Sequence, residues 1–177
     1  IRIHLFDHLL TYILFKYFFV IFCLLILING SNFIDGLNGL LVGYYLLISL
    51  IFIQLNFFNF LDIEVNDLSF FSLVLFILFL FNLSKKSFMG DTGACILGFF
   101  YGYLLIKIYD EYQIFSPFFV ILLFWYPCFE NLFSILRKFK LKRSPIEPDN
   151  NHLHQLIFFY LKKKYKIKNI FANNCGS

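Results

Sequence analysis

The sequence predicts an all-α, polytopic transmembrane protein, and three observations carry that prediction. Hydrophobic residues make up 60% of the 177 residues and charged residues only 15%. A soluble chain of this length cannot hide so much apolar surface in one core. The apolar residues also come in runs, without the alternation of half-buried strands or the single stripe of soluble helices. Finally, the links between runs alternate in the sign of their charge along the chain.

A bilayer core needs about 20 mostly apolar residues per helix. Five spans are expected, over about 9–28, 37–55, 68–83, 94–109 and 115–136, within one integral membrane domain covering 1–177. Lys16 falls inside the first. Pro127 falls inside the fifth and should kink it, leaving a carbonyl for a neighbouring helix to satisfy. A cytoplasmic loop is expected over 137–155. The segment His152–Asn169 follows, with Leu153, Leu156, Ile157, Tyr160 and Leu161 on one helical face and lysines behind them. That pattern suits a helix lying in the membrane interface, or the lead-in to a further span.

Asp62, Glu64 and Asp67 lie between spans two and three, and Asp110 and Glu111 between four and five. The other side carries Lys85, Lys86, Arg137, Lys138, Lys140, Lys142, Arg143, Lys162, Lys163, Lys164, Lys166 and Lys168. Of the 15 Lys and Arg, only Arg2, Lys16 and Lys107 fall elsewhere. The positive-inside rule makes the basic side cytoplasmic. These lysines and arginines read as flanking charge, and no nucleic-acid partner is expected. The scattered cysteines Cys23, Cys95, Cys128 and Cys175 form neither a metal spacing nor a disulfide framework. The chain opens on Ile1 and is expected to lack both its ends.

Three polar clusters emerge on the basic side. The first is the link Asn29–Leu40, where Asn29, Asn32 and Asp35 recur every three residues, so a helical turn would align them. Asp35 adjoins an apolar run, where a carboxylate is costly without a partner. Mg²⁺ is one such partner, because it takes hard oxygens and often only one or two protein carboxylates. An ordinary helix N-cap is the other reading. The second cluster is Phe88-Met89-Gly90-Asp91-Thr92-Gly93, where Asp91 either caps span four or faces a diphosphate at a helix start. The third holds Arg143-Ser144-Pro145 and Pro148-Asp149-Asn150-Asn151-His152-Leu153-His154. His152 and His154, two apart, should not share a helix face, and zinc would want more ligands than they provide. Contacts to phosphate oxygens suit them better. Acids, amides, glycines and histidines gathered at one membrane face suit phosphoryl transfer, which is mostly positioning and charge neutralisation.

These residues resemble the polyprenyl-phosphate N-acetylhexosamine-1-phosphate transferases, glycosyltransferase family four. Asn29–Leu40 matches the family's N-x-x-N-x-x-D-G-x-x-G-L motif and Phe88–Gly93 its F-M-G-D-x-G motif. Ser144-Pro145, Pro148-Asp149 and His152-x-His154 match the histidine loop of the N-acetylglucosaminyl branch. The resemblance implies Mg²⁺, with Mn²⁺ as an alternative, held by Asp91 and Asp35. It implies catalytic roles for Asp35, Asp91, His152 and His154, and substrate contacts from Asn29, Asn32, Phe88, Asn82, Arg137 and Arg143. The implied reaction moves N-acetylhexosamine 1-phosphate from a UDP-sugar to a polyprenyl (undecaprenyl) phosphate with release of UMP. The setting is cell-envelope polysaccharide synthesis at the inner membrane, and a homodimer is a further expectation.

The family's upstream aspartate-rich motif has no match here, so this chain by itself is expected to be inactive. Gln155 stands where a third histidine is common, Asn38 where many members have Asp, and Glu130 where an Asp is expected. A phosphotransferase of the CDP-alcohol type is disfavoured because Asp35-Gly36 is not followed by its arginine. A non-enzymatic transporter or scaffold is the remaining alternative; a transporter would gather polar groups near the bilayer midplane.

Overall fold

The computed structural model describes residues 8–9, 11–57, 65–112, 116–142 and 152–165. They form seven helices: α1 Ile13–Ile34, α2 Leu40–Phe57, α3 Val65–Leu83, α4 Gly90–Tyr112, α5 Pro117–Leu123, α6 Trp125–Lys140 and α7 Leu153–Tyr165. The all-α class holds among the described residues. Ile13–Ile34 and Gly90–Asp110 are long and apolar enough to cross a bilayer. Leu40–Asn56 and Asp67–Leu83 are apolar but shorter. Two of the five expected spans thus coincide with helices long enough to cross a bilayer, two with shorter apolar helices, and the region expected to form the fifth is two helices, α5 and α6.

The break in the fifth span comes at Phe124, between α5 and α6, three residues before the proline. Pro127 has no N–H to give to the carbonyl four residues back, that of Leu123. The Tyr44 hydroxyl of α2 donates to the Leu123 carbonyl at 2.5 Å instead. A neighbouring helix therefore satisfies the freed acceptor, as expected from the sequence. Ser116 starts α5 by accepting from the Phe118 N–H at 3.2 Å, with Pro117 in the first helical position.

Helix α1 packs mainly on α4 and α6, while α2 packs on α3. Close approach is set by small residues. A Cβ on Gly30 would lie 2.0 Å from the Pro127 carbonyl oxygen, so α1 and α6 touch backbone to backbone. On the α4 side, a Cβ on Gly98 would meet Ser31 Oγ at 2.6 Å. Asn131 of α6 adds a hydrogen bond to the Ile26 carbonyl of α1 at 3.0 Å. Such pairings hold helices together where lipid supplies no hydrophobic drive. The core carries Tyr45, Tyr101, Phe52, Ile34, Leu41 and Ile48, all at most 2% exposed. Its hydroxyls are paired: Ser31 with Tyr45 at 2.5 Å, and Ser49 with Tyr101. The rings of Tyr45 and Tyr101 stack 4.6 Å apart.

Candidate active site at one end of the bundle

The first polar cluster is not a link, contrary to expectation. Asn29, Gly30, Ser31 and Asn32 form the last turns of α1, which runs six residues past its expected end at Ile28 to Ile34. Backbone hydrogen bonding carries the helix on through the polar residues 29–32, and Asp35 takes the C-cap position, its N–H on the Asn32 carbonyl at 3.4 Å. Asp35 therefore ends one helix and does not N-cap the next, which starts at Leu40. Gly39 has φ +83°, a left-handed turn that an L side chain rarely adopts. Its N–H donates to Asn82 Oδ1 at 2.6 Å. Asn82, 5% exposed at the end of α3, thus latches the 35–39 turn from below.

Asp91 lies inside the first turn of α4, one residue after its start, and is no cap either. A carboxylate there is favoured by the helix dipole. Phe88, just before it, is 72% exposed. The Gly90 N–H donates to the Asp35 carboxylate, which brings the two acids together. Burial pushes the Asp35 carboxyl up to about 6; the Gly90 N–H opposes the rise and the charge of Asp91 adds to it. Among the described residues no cation is paired with either acid. Two hard oxygen donors at the same end of the bundle, one of them desolvated, suit the chemistry of a divalent cation that takes its remaining ligands from phosphate. No group of three metal-ligating side chains exists among the described residues. From Asp91 an open groove of about 650 Å³ runs along α4, walled by Ile28, Thr92, Cys95, Ile96, Phe99 and Phe100.

The histidines complete this end of the bundle. His152 stands just outside α7 and His154 inside it, so the two-residue spacing does not separate them. Their rings lie parallel, 5.7 Å apart at 2°. Both are buried, at 4% and 1% exposure. Phe33 of α1 stacks on His152 at 4.9 Å. The Tyr126 hydroxyl lies 3.5 Å from His154 Nδ1. Burial and the neighbouring His152 push His154 down to about 4, against the pull of Glu130, so it is neutral at pH 7. Its Nε2 has no hydrogen-bond partner among the described residues and lies against Gly36.

The structure therefore brings Asn32, Asp35, Asn82, Asp91, His152 and His154 to one end of the bundle. Asn29 is exposed on α1, two turns from its end. Arg137 lies in the last turn of α6, its guanidinium 5.7 Å from the Phe133 ring centre. Arg143 falls outside the described residues, as does the 143–151 stretch of the 137–155 loop. The loop's first residues, 137–140, are the end of α6, and its last, 153–155, open α7. The apolar face expected on α7 exists and is turned outward: Leu153, Leu156, Ile157 and Tyr160 are all exposed.

Sequence reasoning noted Glu130 as standing where an Asp is expected but gave it no role. It is 2% exposed and sits in α6, where its Oε2 accepts from His152 Nδ1 at 3.1 Å and its Oε1 from the Leu153 N–H at 2.8 Å. The available signal was an acid inside an apolar span, which needs a partner.

The profile described as glycosyl transferase family 4 matches residues 1–109. Over 143 residues, 78% of the chain, it is 30% identical to the probable undecaprenyl-phosphate N-acetylglucosaminyl 1-phosphate transferase of Bacillus subtilis (strain 168). It is 29% identical over 73% of its length to the undecaprenyl-phosphate alpha-N-acetylglucosaminyl 1-phosphate transferase of Thermotoga maritima. With the decaprenyl-phosphate N-acetylglucosaminephosphotransferase of Mycolicibacterium smegmatis it shares 30% identity over 72% of its length. These matches cover 40%, 39% and 37% of the relatives, so the chain spans about two fifths of their length. No solved structure matches it.

Proposed function

This chain belongs to glycosyl transferase family 4, and from that membership we propose that it forms part of the active site of a membrane transferase. The reaction moves N-acetylhexosamine 1-phosphate from a UDP-sugar to a polyprenyl phosphate. A phosphate oxygen of the lipid forms a bond to the sugar-bearing phosphorus, the bond from that phosphorus to the bridging oxygen breaks, and UMP leaves. The polyprenyl phosphates and the N-acetylglucosaminyl 1-phosphate in the names of its relatives support the acceptor and the sugar class. The adjacency of Asp35 and Asp91 is the single observation that carries the reading.

Asp35 and Asp91 would hold Mg²⁺, which supplies charge neutralisation to the diphosphate. The Gly90 N–H donates to the Asp35 carboxylate and ties it to the start of α4, which carries Asp91. His154 offers Nε2 beside the same turn, in its neutral form, for one hydrogen bond to a substrate oxygen. Phe88, exposed at the mouth, has a free face for a uracil ring. Asn82 and Gly39 fix the turn that carries Asp35. The apolar groove ending at Asp91 and Thr92 suits an amphiphile with its phosphate beside the acids. The basic residues beside this end assign it to the cytoplasmic face of the inner membrane by the positive-inside rule.

The test is radiolabelled transfer in membranes with the intact protein. Asp91→Asn is expected to abolish UMP release while insertion persists. Normal turnover in that variant removes the metal assignment.

A further inference from the structure

We propose that Glu130 is a positioning residue that seats the histidine segment on the Asp35-Gly36 turn, an inference that rests on the transfer reading above. Both of its oxygens are already used, one by His152 Nδ1 at 3.1 Å and one by the Leu153 N–H at 2.8 Å. Glu130 thus caps α7 from another helix and fixes the proton of His152 on Nδ1. The Leu153 amide is one of the orphan donors at the α7 start, and the buried His152 Nδ1 finds its acceptor in the same carboxylate. From there the order passes through rigid contacts. Phe33 covers one side of His152, and the His154 ring lies parallel to it. His154 in turn abuts Gly36, next to Asp35. One carboxylate on α6 thereby sets where two imidazoles stand relative to the acid pair.

Glu130→Gln separates this role from plain packing. It keeps the volume and an oxygen for Leu153, but its amide N–H faces Nδ1 and drives the His152 proton to Nε2. Glu130→Asp keeps the charge on a shorter arm. With the intact protein in nanodiscs, nitrogen NMR of labelled histidines reads the tautomer, and loss of the signal in His152→Gln assigns it. Glu130→Gln is expected to move the His152 proton to Nε2 and to lower kcat about tenfold or more, with a smaller change in KM for UDP-N-acetylglucosamine. Glu130→Asp is expected to retain more turnover than Glu130→Gln. An unchanged His152 pattern in Glu130→Gln overturns the proposal, as does turnover in Glu130→Gln equal to or above that of Glu130→Asp. Absence of UMP release from the unaltered protein removes the transfer reading alone, because the nitrogen pattern still decides whether Glu130 sets His152.

Discussion

A Cβ on Gly36 would stand 2.4 Å from His154 Nε2 and 3.2 Å from its Cδ2, so the imidazole is seated on the backbone of the turn that carries Asp35. No side chain separates the third polar cluster from the first. Gly36→Ala must push the ring away, because the neighbouring space is filled by His152 and Tyr126. Transfer is expected to fall about tenfold or more, with the helical circular dichroism unchanged. Wild-type turnover in Gly36→Ala would show that the ring contact is dispensable.

The acid pair predicts a pH dependence of cation binding. Asp35 titrates at about 6, above its ordinary value, so binding at lower pH must displace its proton. Mg²⁺ or Mn²⁺ affinity is expected to fall by about tenfold per pH unit below 6 and to be flat above it. Without cation the sign for stability is the reverse. A raised acid favours the fold below its unfolded value near 4, and that contribution is lost as pH rises through 6. Asp35→Asn should abolish both slopes. Calorimetric titration and thermal melts from pH 4 to 8 check the pair.

Removing the Asn82 side chain leaves the buried Gly39 N–H without an acceptor. Asn82→Ala is expected to cost about 1–3 kcal/mol and to loosen the Asp35 turn, lowering transfer as well as the thermal midpoint. Asn82→Asp keeps the acceptor and should cost less. Hydrogen exchange at the Gly39 amide reads the latch directly.

Gly30→Ala should be the most damaging small substitution in the bundle. The obstacle is the Pro127 carbonyl oxygen at 2.0 Å, a backbone atom that cannot swing aside. Helices α1 and α6 must move apart, at a cost of about 1–3 kcal/mol or more. The check is protein yield and melting in membranes, with Gly102→Ala as comparison, since its nearest atoms are the side-chain ends Leu24 Cδ2 at 2.7 Å and Leu27 Cδ2 at 3.0 Å, which can shift.

Tyr44→Phe removes the donor to the Leu123 carbonyl that Pro127 cannot serve. The expected cost is about 0.6–2 kcal/mol. Pro127→Ala in the same background supplies an N–H again and should restore stability. No restoration in the double variant would mean that the break at Phe124 has another cause.

Much of this was legible from residue order. The apolar runs fixed the helical class, because unpaired backbone cannot survive in hydrocarbon. The period-three recurrence of Asn29, Asn32 and Asp35 indicated a helical turn, and α1 does extend through both asparagines. Helix ends were read poorly, since apolarity stops at Ile28 while backbone hydrogen bonding continues to Ile34.

The spacing of His152 and His154 misled because it assumes that both are helical. One lies outside α7, so their rings meet. Glu130 was invisible as a partner, because its acceptors' donors lie 22 and 23 residues away across a loop.

By itself the sequence determined a helical, apolar chain whose polar groups collect at one set of helix ends, since transfer free energy and helix periodicity act locally along the chain. Only the tertiary structure decided that Asp35 lies within electrostatic reach of Asp91, that Gly36 receives His154 and that Glu130 holds His152. Those pairings depend on how closely α1 approaches α4 and α6, and that distance is set by the fit of small residues against backbone between segments far apart in sequence.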